Sequence, residues 1–346
     1  MFRIFFYSVL IFMSQTIVAE VAVDILPDAY TERDKEVLAK TKLCIDTIEN
    51  TGLTYIEPKL LKRYCRSKAW AEVYNPGRYA MRIINEKATE FNPFVITPHR
   101  HSYIMPVSYS DNFNSEAYSE VGTNIDHMKN YEAKYQISLK VPLFTSDIFV
   151  PGDSLYFGMT IQAWWQLYSE KLSRPFRETN YQPEIFYQAP LPFKPFGGNM
   201  GFELGIEHQS NGQSQLLSRS WNRIKFGILY ERGDHFVAFR PWYRLPEGDK
   251  EEPLSPIGDD NPDIEDYMGH YTIDAAYAFS DTRKIAVMIR KNWRTGNGAI
   301  EINFTKPIFG RMIGLVQYFS GYGESLIDYN HKQQKIGFGI ALTEIF

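Results

Sequence analysis

The chain lacks a long apolar run. Beyond its first twenty residues nothing approaches the 18 or so consecutive apolar residues that a membrane-crossing helix needs, which excludes a helical membrane protein. It also lacks an excess of either charge. Lys plus Arg number 37 against 41 Asp plus Glu, a net charge of −4, so there is no basic footprint for nucleic acid. Cysteine is scarce: only Cys44 and Cys65, with no histidine close to either, which argues against a zinc site. His101, His127, His235, His270 and His331 show no metal-ligand spacing and read as ordinary surface or lumen residues. The acidic "GDDNPDIED" has no EF-hand pattern and reads as an exposed loop.

What the chain does have is aromatic side chains, at 15%, with 24 Phe, 23 Tyr and 6 Trp, alongside a mean hydropathy of −0.33. Many aromatics with a polar average suit a transmembrane β-barrel, where inward polar and outward apolar residues cancel. They also fit a soluble all-β protein. The start, "MFRIFFYSVLIFMSQTIVAE", has one early positive charge at Arg3, an apolar run from Ile4 to Met13 and small residues ending at Ala19. That is a secretory signal-peptide pattern over residues 1–19. Export places Cys44 and Cys65 in an oxidising compartment, so a disulfide is expected. Closing a loop of about 20 residues would contribute roughly 3 kcal/mol in the chain-entropy model. Residues 20–90 are rich in Lys, Glu, Leu and Ala, with apolar residues three and four apart. They predict a small periplasmic helical pair stapled by that disulfide.

From about residue 98 the period changes to two. In "AIEINFTKP", Ile300, Ile302 and Phe304 share one face and Glu301, Asn303 and Thr305 the other. Twelve such strands are predicted, at 100–109, 130–143, 153–168, 182–189, 199–210, 220–232, 235–245, 266–280, 283–293, 298–306, 311–321 and 334–346. Short connections such as "ERGDH" and "SDTR" alternate with long ones such as 246–266. This predicts an all-β fold, a 12-stranded antiparallel transmembrane barrel over residues 91–346, with both termini periplasmic. The chain ends on Phe346, a terminal aromatic of the kind many outer-membrane proteins present to their assembly machinery. A lipocalin-like barrel would want about eight strands and an apolar interior.

The connection between strands five and six, "EHQSNGQSQLLSRSWNR", is dense in hydrogen-bonding side chains. His208 and Ser210 share their parity with Phe202, Leu204 and Ile206. Asn222 shares its parity with Ile224, Phe226 and Ile228. These polar residues therefore project from the apolar, lipid-facing side of the barrel. A His two residues before a Ser can approach its hydroxyl, and an Asn on the next strand can accept from the other ring nitrogen. That is a base, a nucleophile and an orienting group. An Asn leaves the resting site uncharged, which suits a low-dielectric membrane edge, at the cost of weaker support for the imidazolium that forms.

The stretch "HQSNGQSQLLSRSWNR" resembles the signature of the bacterial outer membrane phospholipase A family, as do "WWQLYSEKLSRPFRETNYQPEIF", "DDNPDIEDYMGHY" and "SGYGESLIDYN". The resemblance covers about residues 91–346. It implies a twelve-stranded barrel that hydrolyses acyl esters of membrane phospholipids at the A1 and A2 positions and of lysophospholipids, needs Ca2+, and acts as a homodimer. It also implies Ser210 as nucleophile, His208 as general base and Asn222 as orienting residue. The Gly212 N–H would stabilise the oxyanion. Calcium would be held near Ser218 and the backbone of Gln213, with Ser173 reaching in from the other subunit.

Some positions depart from the family pattern. Gln213 stands where characterised members can carry Arg, Gln215 where they can carry Asp, and Ile161 where they can carry an interface Gln. Gln162 lies next door on the opposite face. Trp164 and Trp165 read as girdle and packing residues. The rivals are a passive pore or adhesin, whose polar chemistry would be confined to lumen and loops, and a soluble secreted esterase, which would extract without detergent.

Overall fold

The computed structural model describes residues 32–50, 58–74, 77–89, 97–119, 127–144, 148–150, 152–252, 254–255 and 257–343. The predicted signal peptide and Phe346 lie outside them. Twelve antiparallel strands close on themselves: β1 (Tyr103–Ser110), β2 (Tyr131–Phe144), β3 (Ser154–Trp165), β4 (Phe176–Leu191), β5 (Asn199–Ser210), β6 (Ser220–Arg232), β7 (His235–Leu245), β8 (Tyr271–Ala278), β9 (Lys284–Lys291), β10 (Gly298–Phe309), β11 (Met312–Tyr322) and β12 (Lys332–Ala341). Each pairs with its neighbours in sequence, and β12 closes the sheet on β1. A two-residue bridge, Thr97–Pro98, continues the line of β1 along β2. The register of β1 on β2 shifts between Met105 and Ser108, where Pro106, with no N–H to donate, sits at the irregularity.

Alternation decides what faces where. Ile137, Leu139, Ile185, Leu204, Ile206, Ile224, Phe226, Val237, Phe239 and Phe338 are exposed on the outer surface, an apolar belt of the kind that meets lipid. The opposite faces carry buried charge. Arg177 bonds Glu132 and Asp328, Lys134 and Lys335 share Glu324, and Glu207 takes Arg100, Arg223 and Lys225. A lumen crossed by ion pairs is polar, unlike a lipocalin's apolar interior.

Two predicted elements differ. The fourth strand runs over 16 residues, well beyond 182–189. Its first part carries Arg177, Glu178 and Asn180 inward, and these polar residues belong to the lumen. The predicted eighth strand begins instead as a helical turn, Ile264–Met268, ended by Gly269 at φ +70° before β8 starts.

The N-terminal region holds three helices where a pair was predicted: α1 (Glu32–Asn50), α2 (Pro58–Tyr74) and α3 (Arg78–Thr89). Cys44 and Cys65 join α1 to α2. The third helix docks on the end of the barrel that carries the short turns. Glu231 accepts from the backbone N–H of Tyr79 and Ala80, an anion at a helix N-terminus. Arg78 pairs with Asp234 and Asp281 in two of the turns, and Glu86 with Lys140. Tyr79 packs its ring against Phe236 and its hydroxyl accepts from Gln188. The candidate site lies at the other end, among the long loops.

Candidate active site

β5 and β6 run in register with His208 directly opposite Asn222 and Ser210 opposite Ser220. Ile206 and Ile224, two pairs further in, are exposed on the outer face, while Glu207, Gln209 and Arg223 are buried in the lumen. By the same alternation His208, Ser210 and Asn222 belong to the outward face. Asn222 Oδ1 lies 2.8 Å from His208 Nδ1, so the residues expected as base and orienting group are joined. Among the described residues no hydrogen bond links Ser210 Oγ to His208. In enzymes generally, hydrogen bonds between a base and its nucleophile are often long without substrate and tighten when it binds. Tyr181 on β4 pairs with Ser210 and is exposed beside it. Asn222 has a second partner that the sequence did not indicate. Its Nδ2 donates to Glu247 Oε1 over 3.0 Å.

The hairpin loop is zipped from inside by Asn211, which is buried. Its backbone N–H donates to Arg219 O at 3.1 Å, and its side-chain oxygen accepts from the N–H of Gln213 and Arg219. Its side-chain nitrogen donates to Leu217 O and to Glu178 on β4. Gly212 follows at φ +63°, and a Cβ there would meet the Tyr181 ring at 3.4 Å. That distance is ordinary van der Waals contact, so it is the left-handed conformation that favours glycine at the position expected to supply the oxyanion N–H.

The "DDNPDIED" segment is not an exposed loop. Arg244 grips both oxygens of Asp259 at 2.6 Å, and buried Asn261 accepts from the Ser220 N–H. Ile264 and Met268 pack with Trp221 and Trp242 in one buried cluster. Asp260 Oδ2 accepts from Ser218 Oγ at 2.6 Å, and its other oxygen holds Lys250 Nζ at 2.5 Å. The apolar spacing of Ile264 and Met268 was the available sign that this segment packs.

Ser173 sits on the neighbouring β3–β4 hairpin, exposed and left-handed at φ 57°. No hydrogen bond joins it to Gln213 or Ser218 among the described residues. Ile161 stands opposite Ile137 and Tyr181, both exposed on the outer surface, while Gln162 bonds Gln136 and Gln182 in the lumen. Trp164 is fully buried against Lys134, and Trp165 stacks on Phe176.

The Phospholipase A1 family model matches residues 80–342. Phospholipase A1 of Salmonella typhimurium is 36% identical over 291 residues, 83% of this chain and 95% of the relative. Outer membrane phospholipase A from Escherichia coli superposes with a TM-score of 0.67 at 35% identity, covering 74% of this chain and 95% of that one. The Salmonella typhi outer membrane phospholipase dimer with bound calcium gives the same TM-score, identity and coverage.

Proposed function

Since the chain belongs to the phospholipase A1 family, we propose that it is a calcium-dependent outer-membrane phospholipase that hydrolyses acyl esters at both glycerol positions and in lysophospholipids. The observation that carries this reading is the His208–Asn222 hydrogen bond on the outward face, two residues from Ser210. A pore has no use for such a pair on its lipid side, and ion pairs cross this lumen.

In the proposed reaction Ser210 Oγ attacks the ester carbonyl as His208 Nε2 takes its proton. The Gly212 N–H donates to the oxyanion. His208 then returns the proton to the leaving alcohol, and the lysophospholipid departs from an acyl-Ser210. Water, activated by the same imidazole, releases the fatty acid. Asn222 Oδ1 accepts from His208 Nδ1–H throughout and steadies the imidazolium. Substrate reaches the site without leaving the bilayer.

The donors around Ser218 fit a hard cation, with a hydroxyl, the Asp260 carboxylate beside it and the backbone carbonyls of the Gln213 loop. Calcium bound there would supply Lewis-acid stabilisation of developing negative charge. Among the described residues no group of three or more His, Cys, Asp or Glu is placed to hold a metal ion, so the proposed ligands are hydroxyl and backbone oxygens with the one carboxylate. A second subunit would add a further ligand, and exposed Ser173 is the proposed donor. The second copy would meet the outer face of β2–β4, where Ile161 makes the contact apolar. Residues 1–19 would be removed on export and the termini would lie in the periplasm, with the disulfide-stapled helices.

The test is fatty-acid release from phosphatidylcholine in detergent micelles by the refolded protein, with calcium or a chelator, beside Ser210→Ala. Release that requires calcium and Ser210 is expected. Substrates labelled on one acyl chain report the two positions separately. Undiminished release by Ser210→Ala would end the triad reading.

A further inference from the structure

The Asn222 amide presents a problem that His208 alone does not solve. Its two ends are nearly the same shape. With Oδ1 toward the ring, Nδ1 carries a proton and Nε2 has a lone pair free to take one from Ser210. With Nδ2 toward the ring, Nδ1 must accept, the proton sits on Nε2, and the imidazole cannot act as base. An Asp has no such ambiguity, because both its oxygens accept. A triad built on Asn therefore depends on whatever fixes the amide.

Glu247 occupies that place. Its Oε1 is 3.0 Å from Asn222 Nδ2, and a carboxylate can only accept. It leaves the barrel just past the end of β7, where Leu245 is the cross-strand neighbour of Asn222, and Pro246 restricts the intervening backbone. The connection carrying it is tied down. Asp259 N–H donates to Gly248 O at 2.8 Å, Arg244 holds Asp259, and Lys250 holds Asp260.

We propose that Glu247 is a positioning residue for the ester hydrolysis, fixing the Asn222 amide so that His208 is held in its reactive tautomer and extending the triad to Ser210–His208–Asn222–Glu247. The inference rests on the triad reading above. The carboxylate also restores, one amide further out, part of the negative charge that an Asn lacks when the imidazolium forms.

The experiment is a double-mutant cycle on the full chain in micelles, with kcat and KM separated. Glu247→Ala is expected to lower kcat about 10- to 100-fold, by analogy with the loss of the partners that orient metal-ligating histidines, with KM unchanged. Glu247→Gln recovers only part, because its amide can itself turn. Asn222→Asp alone is impaired, since two carboxylates then face each other across hydrogen-bond distance. In the Glu247→Ala background the same Asn222→Asp change restores kcat, because an Asp needs no orientation. This change of sign is not expected of a merely structural role. Nitrogen NMR of the His208 ring should show one tautomer, protonated on Nδ1, in the parent and a mixture in Glu247→Ala. Folding of each variant is checked by heat-modifiable electrophoretic mobility. Parental kcat in Glu247→Ala, with Asn222→Asp equally harmful in both backgrounds and Ser210→Ala inactive, would overturn the inference and leave the triad standing. An active Ser210→Ala would remove both.

Discussion

Ser218 Oγ donates to Asp260 Oδ2 at 2.6 Å, while Lys250 Nζ holds the other oxygen of the same carboxylate. The residue expected beside calcium thus already has a carboxylate at hand from another loop. Gln215 carries no charge where family members can have Asp, so under the proposed reading Asp260 would offer the cation a carboxylate independent of that position. Asp260→Ala should weaken calcium binding about 10-fold or more, by analogy with the loss of other metal-site partners. Calcium titration by calorimetry in detergent measures this directly. An unchanged affinity would place the cation elsewhere.

The His208–Asn222 pair sits at the rim of the barrel rather than in its core, so its loss should separate activity from stability. His208→Ala should lower kcat about 10³-fold or more, since a general base is worth roughly 10²–10⁴ and nothing nearby replaces it. Asn222→Ala should cost less, because the imidazole survives and only its orientation is released. Both variants should unfold within about 1 kcal/mol of the parent, as half-buried polar positions usually do. Initial rates and urea unfolding of the same preparations decide the matter.

Much of this was legible in the chain because a barrel wall imposes a strict period of two, and one face must be apolar. Leu204, Ile206, Ile224 and Phe226 made the outward face readable, and parity then carried His208 and Asn222 with them. What escaped is what periodicity does not encode. Arg177 and Glu178 read as loop because a lumen stabilised by ion pairs has no apolar signature. Glu247 and Asp260 lie in a long connection, and their partners are set by its path back to the barrel. The helix α3 packs against strand ends far away in sequence, Glu231 and Asp234 among them, so nothing local marked its docking.

Arg177 joins strands to loops inside the lumen. It donates to both oxygens of Glu132 at 3.0 and 3.1 Å and to Asp328 at 3.0 Å, all buried. Removing the cation leaves carboxylates facing one another in a place that water reaches poorly. Arg177→Met should therefore cost about 3–5 kcal/mol, read as a lower urea midpoint for unfolding from lipid vesicles. A midpoint equal to the parent's would mean that water or a neighbouring lysine replaces the guanidinium.

At the short-turn end, Asp153 closes the β2–β3 connection by accepting from the backbone N–H of Ile148, Phe149 and Val150 and from the Tyr187 hydroxyl. Burial alone would raise its pKa, but these hydrogen bonds outweigh it and bring the carboxyl down to about 2. A carboxyl depressed from an ordinary value near 3.8 contributes stability that is fully present above that value. The contribution is lost as pH falls through the folded value. At neutral pH it amounts to something on the order of 1–2 kcal/mol. Asp153→Asn keeps the shape, loses the charge, and should be destabilised by about that much at pH 7. Unfolding measured from pH 6 down to pH 2 should show the two proteins converging as Asp153 takes up its proton. Curves that stay parallel would assign the acid sensitivity to the other buried carboxylates, Glu132 and Glu324 among them.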